Sequence, residues 1–234
     1  MKRFLIALFL LLASSPLAHA QTDPTSRSWN QPVEPYRIAG NVYYVGASDI
    51  TSFLITTPAG HAASGKEAPL LARGGKGDFL FGDKSTFPPI QADRILHDGD
   101  TVTLGGTTLT AHLAPGHTMG NTAWTMKAKE EGRTYDVVFA PSMSILDGVS
   151  LTKNVNYPGI GEDYGKTFRL LKSLPCDVFL GSHASFYDGL GKAERLRKGA
   201  KENPFIDPQG YRDYLARMEK KYQEQLQKER GAKP

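Results

Sequence analysis

Two histidines in similar settings are the residues of this sequence best suited to metal chemistry. His117 directly follows Pro-Gly and an alternating apolar run at 107–113, and His183 follows the apolar run at 177–180. Each histidine therefore comes after a predicted strand, where a rigid scaffold can direct an imidazole into a cleft. Imidazole is a common zinc ligand, but a catalytic zinc normally has three protein ligands and one open position for water. The two histidines alone predict half of a metal site.

The other candidate ligands do not complete that half. No His-x-His-x-Asp-His cluster occurs anywhere in the sequence. His112 precedes His117 by five residues on a predicted strand, so roughly 16 Å separates them when extended, on opposite faces. His97 lies beside a predicted turn. A surrogate site built from other side chains is the less favoured alternative, and its candidates are Asp49, His61 and Asp78.

The elements that would position these histidines alternate between strands and helices. The segment before residue 35 is polar and proline-rich, which predicts a surface arm. Apolar alternation, turn residues and helical spacing predict the other elements. Strands are predicted at 41–45, 52–57, 94–96, 101–104, 107–113, 122–127, 134–140 and 177–180, a turn at 58–61, a long loop at 141–157, and helices at 163–174, 190–198 and 208–226. The strands from 94 to 140 form a series that looks antiparallel.

The first twenty residues predict an export signal. Lys2 and Arg3 precede an apolar stretch at 4–13, and Ala-His-Ala at 18–20 fits a cleavage site. The apolar stretch is too short to span a bilayer, so an uncleaved anchor is the less favoured alternative. We therefore expect a signal peptide at 1–20, a single domain at 21–234, a periplasmic or secreted location, and no membrane partner after cleavage.

Charge and cysteine content argue against several classes of function. The formal net charge is only +4, and basic residues at 195–228 are interleaved with acids. That pattern is typical of solvated helix faces, which argues against a nucleic-acid partner. Cys176 is the only cysteine, so no internal disulfide can form. We expect Cys176 to be a small buried hydrophobe rather than a zinc ligand or nucleophile.

Taken together, several segments resemble the zinc metallo-β-lactamases of subclass B3. The resemblance covers nearly all of the chain after residue 21, and its segments are 28–32, 36–46, 54–61, 115–124, 157–160, 174–186 and 203–205. It implies an α/β fold, the αββα metallo-β-lactamase sandwich, with a one- or two-zinc site at one edge. It also implies a secreted zinc-dependent β-lactamase, in which a zinc-activated water opens the amide bond of a small-molecule β-lactam without a covalent enzyme intermediate.

The resemblance assigns roles to four residues. His117 resembles the third histidine of the first zinc site, and His183 resembles the histidine of the second. Ser142 and Ser144 match a serine pair that helps to hold the substrate carboxylate or a nearby water. Capping of the loop is the alternative role for these serines. No catalytic residue is assigned beyond these metal-binding and substrate-binding candidates.

The sequence departs from the family pattern after His61. The resemblance leads us to expect a further strand, a helix and the His-x-His-x-Asp-His segment there, but the chain continues directly into a segment that resembles what lies beyond them. We therefore predict a deletion near 61–68 that leaves the N-terminal half of the sandwich incomplete. One zinc ligand of each site remains, so weak or absent zinc binding and absent or strongly impaired activity are expected.

The deletion has structural consequences and leaves other functions open. Loss of neighbouring strands and a helix is expected to expose a sheet edge and an apolar face, and to lower stability. One alternative function is a non-catalytic remnant that binds zinc or a β-lactam weakly. Another is a lactonase or thioesterase of the same fold. Ser142, Ser144 and the segment around His183 favour the β-lactamase over the latter.

Overall fold

A computed structural model describes residues 28–55, 62–64, 68–84, 86–92, 94–104 and 106–231. The predicted signal peptide, the predicted turn at 58–61 and His61 itself lie outside these ranges. The described elements are β1 (Tyr36–Ala39), β2 (Val42–Tyr44), β3 (Phe53–Ile55), β4 (Ala62–Ser64), α1 (Ala68–Ala72), β5 (Arg94–Leu96), β6 (Thr101–Leu104), β7 (Thr107–Leu113), β8 (Thr122–Glu130), β9 (Arg133–Ala140), α2 (Ile160–Ser173), β10 (Val178–Gly181), α3 (Gly189–Arg197) and α4 (Pro208–Gly231).

A five-stranded sheet carries the segments that hold both histidines. Its strand order is β10-β9-β8-β7-β6, with antiparallel pairing from β6 to β9 and parallel pairing of β10 with β9. The β8–β9 hairpin turns at Glu131 and Gly132, which both have positive φ, as a tight hairpin turn requires. The predicted antiparallel series is confirmed from residue 101 to 140. It is wrong for β5, which pairs with β4 in parallel instead.

A smaller sheet lies beside the first and has the order β1-β2-β3. In β2, Val42 and Tyr44 are buried and Tyr43 is partly exposed, which is the period-two pattern of a half-buried strand. An apolar groove of about 350 Å³ lies between β3 and the larger sheet, and it is lined mainly by Phe53, Val102, Leu109, Trp124 and Phe139. The Phe53 ring contacts the Phe139 ring of β9 at 5.4 Å, so β3 packs against the larger sheet beside this groove.

Aromatic side chains join the helices to the sheet. The Phe179 ring of β10 lies 5.3 Å from the Tyr211 ring and 4.9 Å from the Tyr214 ring of α4. The Tyr222 ring of α4 lies 5.5 Å from the Phe168 ring of α2. The predicted apolar stripe of the last helix is confirmed, because all of its members are buried: Tyr211, Leu215, Met218, Tyr222 and Leu226.

Cys176 behaves as the sequence predicts. Its side chain is partly buried against the hydrophobic core and forms no disulfide. Burial raises the pKa of the Cys176 thiol to about 12, so the reactive thiolate is scarce at neutral pH. Among the described residues, no helix combines the length and the apolar character needed to cross a membrane.

Glu229, near the end of α4, ties the long loop at 141–157 to the helix. Its carboxylate accepts hydrogen bonds from the backbone and side chain of Thr152, the backbone N–H of Leu151, the hydroxyl of Ser150 and the amide of Gln225. Burial opposes ionisation, but these hydrogen bonds outweigh it and lower the pKa of Glu229 from 4.5 to about 2. The ionised carboxylate therefore stabilises the loop that carries Ser142 and Ser144.

A Glu229→Gln substitution is expected to lower the free energy of unfolding at pH 7 by about 1–2 kcal/mol, because several donors lose a charged acceptor. The folded-state pKa is depressed, so this stabilisation is present above pH 4.5 and is lost as the pH falls towards 2. Urea unfolding at pH 7, 4 and 3 measures the effect, and the difference between wild type and variant should shrink with acidification. Glu224→Gln, at an exposed site on the same helix, is the matched control. Equal effects of both substitutions at every pH would contradict the proposed role.

Candidate metal centre

Local backbone geometry turns His117 away from the end of β7. The Ala114 N–H donates to the Asn121 carbonyl, and the Gly116 N–H donates to the Thr118 carbonyl, so the β7–β8 connection is a compact loop. Gly116 has φ 145°, and a Cβ at this position would lie 3.0 Å from ring carbons of Tyr164. Only glycine combines that φ with so close an approach. Gly116 therefore allows the turn that orients His117 away from the strand, as the Pro-Gly-His sequence predicts.

A backbone carbonyl from the long loop fixes the His117 ring. The imidazole Nδ1 lies 2.8 Å from the Ser144 carbonyl oxygen, and the Tyr164 hydroxyl donates to the same oxygen at 2.7 Å. A carbonyl oxygen can only accept, so Nδ1 carries the proton and the lone pair of the neutral ring is on Nε2. Second partners of this type set the tautomer and the orientation of metal-binding histidines.

His183 has a comparable partner in Asp49. The His183 Nδ1 lies 2.9 Å from Asp49 Oδ2, and the Ser185 backbone N–H donates to Asp49 Oδ1 at 2.9 Å. Burial opposes ionisation of Asp49, but the hydrogen bonds from Ser185 and His183 hold the pKa of its carboxyl below the ordinary value. The rings of Trp29 and Phe186 pack against the imidazole, with centroids 5.5 Å and 4.8 Å away. The imidazole is therefore held on several sides.

Both histidines line one cleft of about 410 Å³, together with Ser142, Asn121 and Trp124. The sequence-predicted metal residues are thus brought together across the end of the larger sheet. Ser142 also lines the cleft, and its Oγ lies 2.8 Å from the Oγ of Ser144. Ser144 acts on the cleft through its carbonyl oxygen, which holds His117. The metal and substrate roles of these four residues stay predictions.

Three of the other candidate ligands that the structure describes lie away from the cleft. The His97 side chain is 84% exposed and faces Asp100, while the Nε2 of His112 is 2.9 Å from the Thr125 hydroxyl. Asp78 accepts backbone hydrogen bonds within its own turn. Asp49 does reach the centre, but its contact is with His183. From the sequence Asp49 is a candidate surrogate ligand, whereas the structure makes it the hydrogen-bond partner of His183, a role that nothing in the local pattern indicates.

The donor set does not fit a catalytic zinc. Within the described part of the chain, no three or more His, Cys, Asp or Glu side chains form a group that could hold a metal ion. A catalytic zinc requires about three protein ligands in addition to its water. The described residues therefore provide two oriented imidazoles with their outer hydrogen-bond partners, and no third ligand.

Comparison with known proteins identifies solved structures that are similar to this chain. No protein-family model matches it, but solved structures do. The metallo-β-lactamase FEZ-1 from Legionella gormanii is 35% identical, with 87% of this chain and 99% of that chain covered and a TM-score of 0.82. The class B3 di-zinc metallo-β-lactamase LRA-12 from an Alaskan soil metagenome is 29% identical, with 88% and 98% covered and a TM-score of 0.79. GOB-18, from Elizabethkingia meningoseptica, is 30% identical, with 86% and 95% covered and a TM-score of 0.78.

The chain therefore belongs to the metallo-β-lactamase family. Within that family it is a B3 protein, and the sequence-based prediction of this subclass is confirmed. The predicted α/β metallo-β-lactamase fold is also confirmed.

Proposed function

We propose that this chain is an exported B3 β-lactamase relative that keeps a β-lactam-binding cleft but has lost most or all of the zinc-dependent hydrolysis. The substrate class is the β-lactam, and the reaction of a complete site is opening of its amide bond. In zinc hydrolases of this kind the metal lowers the pKa of a bound water to about 7. This chain contributes His117 and His183 to such a site, and its zinc binding is weak.

One observation supports the proposal. His117 and His183 are held in orientation at one cleft, but the described residues provide too few further ligands for a zinc site. Both imidazoles face one cleft and have their Nδ1 atoms engaged. The whole sequence contains six histidines. His19 belongs to the predicted signal peptide, and His97 and His112 lie away from the cleft. Only His61 remains as a further imidazole, so no arrangement of this chain supplies the three-histidine and Asp-His-His ligand sets that the resemblance implies.

Zinc content and turnover test the proposal directly. The processed chain, dialysed against micromolar zinc, is expected to retain well below one zinc per molecule. Hydrolysis of a chromogenic cephalosporin should be about 10³-fold or more below that of a complete B3 enzyme assayed in parallel, since even one lost oxyanion donor costs roughly 10²–10³-fold. A His117→Ala/His183→Ala double variant should remove the residual zinc. Stoichiometric zinc with chelator-sensitive turnover would contradict the proposal.

Binding without turnover can be measured separately. The chain has two tryptophans, and both are at the centre, since Trp124 lines the cleft and Trp29 packs against the His183 ring. Intrinsic fluorescence therefore reports on the cleft. Saturable quenching by a cephalosporin, with the ring left intact on mass spectrometry, supports a binding remnant. The absence of any saturable change would argue against β-lactam recognition.

We also propose that the gap near 61–68 is a property of the gene. The described strands support a gap in the chain itself, because β3 ends the smaller sheet among the described residues and β4 pairs with β5 instead of extending that sheet. Sequencing of genomic DNA across the codons for His61 and Ala62 tests this, and an intervening His-x-His-x-Asp-His segment in the gene would refute it.

Mass spectrometry of the secreted chain tests the signal peptide, with an N-terminus at Gln21 as the expected result.

A further inference from the structure

A basic groove is lined by residues other than those of the histidine cleft. It has a volume of about 820 Å³ and is formed by the start of α2, the end of α4 and the loop before α2. Four cationic side chains line it, and Glu162 is its one acidic side chain. The cations are Lys153, Lys166, Arg169 and Arg230. No residue of the groove lines the histidine cleft, so its role is independent of the proposed function.

Three of the four cations are not neutralised. Lys166 pairs with Asp163 at 2.9 Å, but Lys153, Arg169 and Arg230 form no ion pair with another described residue. Like charges that line one concave surface raise the local concentration of anions. The basic groove therefore has the charge to attract an anionic partner.

The cations of the two helices approach each other over Gly165. The Tyr222 hydroxyl of α4 donates to the Gly161 carbonyl of α2 at 2.9 Å. A Cβ at Gly165 would lie 3.1 Å from that hydroxyl and 3.7 Å from Nη1 of Arg169. Burial raises the pKa of Tyr222, the charges of Arg230 and Arg169 oppose the rise, and those of Glu162 and Glu219 add to it. Both guanidinium groups are therefore near the same hydroxyl, with no side chain at Gly165 to separate them.

An exposed apolar residue stands at the edge of the basic groove. Val155 is 86% exposed, more than any other exposed large hydrophobic side chain of the described chain, and it lines the groove beside Lys153. The groove floor includes Leu151 and Leu226, which are buried. An exposed apolar side chain in the same groove as several cations can contact the interface of an anionic bilayer.

We propose that the basic groove binds the phosphate headgroups of an anionic lipid bilayer, with Val155 entering the headgroup region. The protein would bind at the membrane surface, which requires no membrane-spanning segment. From the sequence no membrane partner is expected, because no segment after the leader is long and apolar enough to cross a bilayer. A charged surface needs no such segment, and this one forms only when α2 and α4 pack together.

Co-sedimentation with vesicles tests the proposal. The processed chain is expected to bind phosphatidylglycerol vesicles at low salt, to bind phosphatidylcholine vesicles at least tenfold more weakly, and to be released by 0.5 M NaCl. A Lys153→Gln/Arg169→Gln/Arg230→Gln variant should bind about 100-fold more weakly, from roughly fivefold per cation. The matched control is Lys198→Gln/Lys201→Gln/Arg212→Gln, which removes the same charge from another surface and should bind like wild type. A Val155→Ser variant leaves the charge intact and should weaken binding several-fold.

Several results would overturn the proposal. Equal losses in the two triple variants would mean that net charge alone drives binding. Unchanged binding by Val155→Ser would remove the interfacial contact. Binding of inorganic phosphate to the groove, measured by calorimetry, without any preference for phosphatidylglycerol vesicles would assign the groove to free phosphate instead. Circular dichroism of each variant confirms that a loss of binding is not a loss of folding.

Discussion

Replacing Phe179 with alanine is expected to lower the free energy of unfolding by about 4 kcal/mol, one of the two largest effects that we expect from a single substitution. Phe179 is fully buried at 0% exposure in β10. Its ring contacts three tyrosine rings, those of Tyr187, Tyr211 and Tyr214, with centroids 4.9–5.8 Å away. Truncation removes these contacts and leaves a cavity between the sheet and α4 that rigid rings cannot fill.

Chemical denaturation with circular dichroism measures the effect of the Phe179 substitution. Phe81→Ala is the matched control, because this phenylalanine is 48% exposed and its truncation should cost less than about 1 kcal/mol. Because single domains are only marginally stable, the Phe179 variant is expected to be partly unfolded at 37 °C. A cost for Phe179→Ala no larger than that of Phe81→Ala would mean that this aromatic cluster does not form the core.

Gly116→Ala is expected to cost about 3 kcal/mol and to displace His117. A left-handed backbone conformation costs a non-glycine residue of order 1–3 kcal/mol, and Gly116 has φ 145°. The added methyl group would lie 3.0 Å from ring carbons of Tyr164, and overpacking of this kind costs a further 1–3 kcal/mol or so. Tyr164 cannot move freely, because its hydroxyl donates to the Ser144 carbonyl.

A Gly132→Ala control distinguishes the backbone cost of Gly116→Ala from the cost of the contact with Tyr164. Gly132 also has a positive φ, 77°, but a Cβ there would meet no atom within 4 Å, so only the backbone term of about 1 kcal/mol should appear. In NMR spectra, the His117 ring resonances should shift in the Gly116 variant and stay in place in the Gly132 variant. Equal destabilisation by both substitutions would show that Tyr164 yields to the methyl group and does not restrain the loop.

Sequence patterns predicted the elements that have a regular apolar period or, as in β10, an unbroken apolar run. β2, β5 to β10, α2 and α3 were predicted within three residues of their bounds, and α4 begins as predicted but ends five residues later, at Gly231. The strand β1 was missed because its pairing with β2 shifts register between Arg37 and Ala39, and its last two residues, Ile38 and Ala39, are both buried. The buried pair breaks the alternation, and two residues are too few to form a continuous apolar run like that of β10.

The missed strand pairing and the missed contact have other physical causes. β4 has the sequence Ala-Ala-Ser, which has no apolar alternation, and its parallel partner β5 is about 30 residues further along the chain. Asp49 and His183 are separated by 134 positions. Local composition carries no information on such distant contacts, since they depend on how complete elements pack. By contrast, the prediction that zinc ligands are too few needs no knowledge of packing, since it rests on a count of histidines.

The Asp49 carboxylate and the Ser144 carbonyl have a thermodynamic consequence for the centre. Each fixes one imidazole through Nδ1, so the fold itself restricts the rotation of both rings. Ligand binding usually loses free energy when side chains must be immobilised at the moment of association. A ligand that reaches this cleft finds His117 and His183 already ordered, and most of the entropy of its two contacts is lost earlier, during folding. The measured affinity of such a ligand therefore reports its interactions with the two imidazoles, because the cost of ordering these side chains is not included in it.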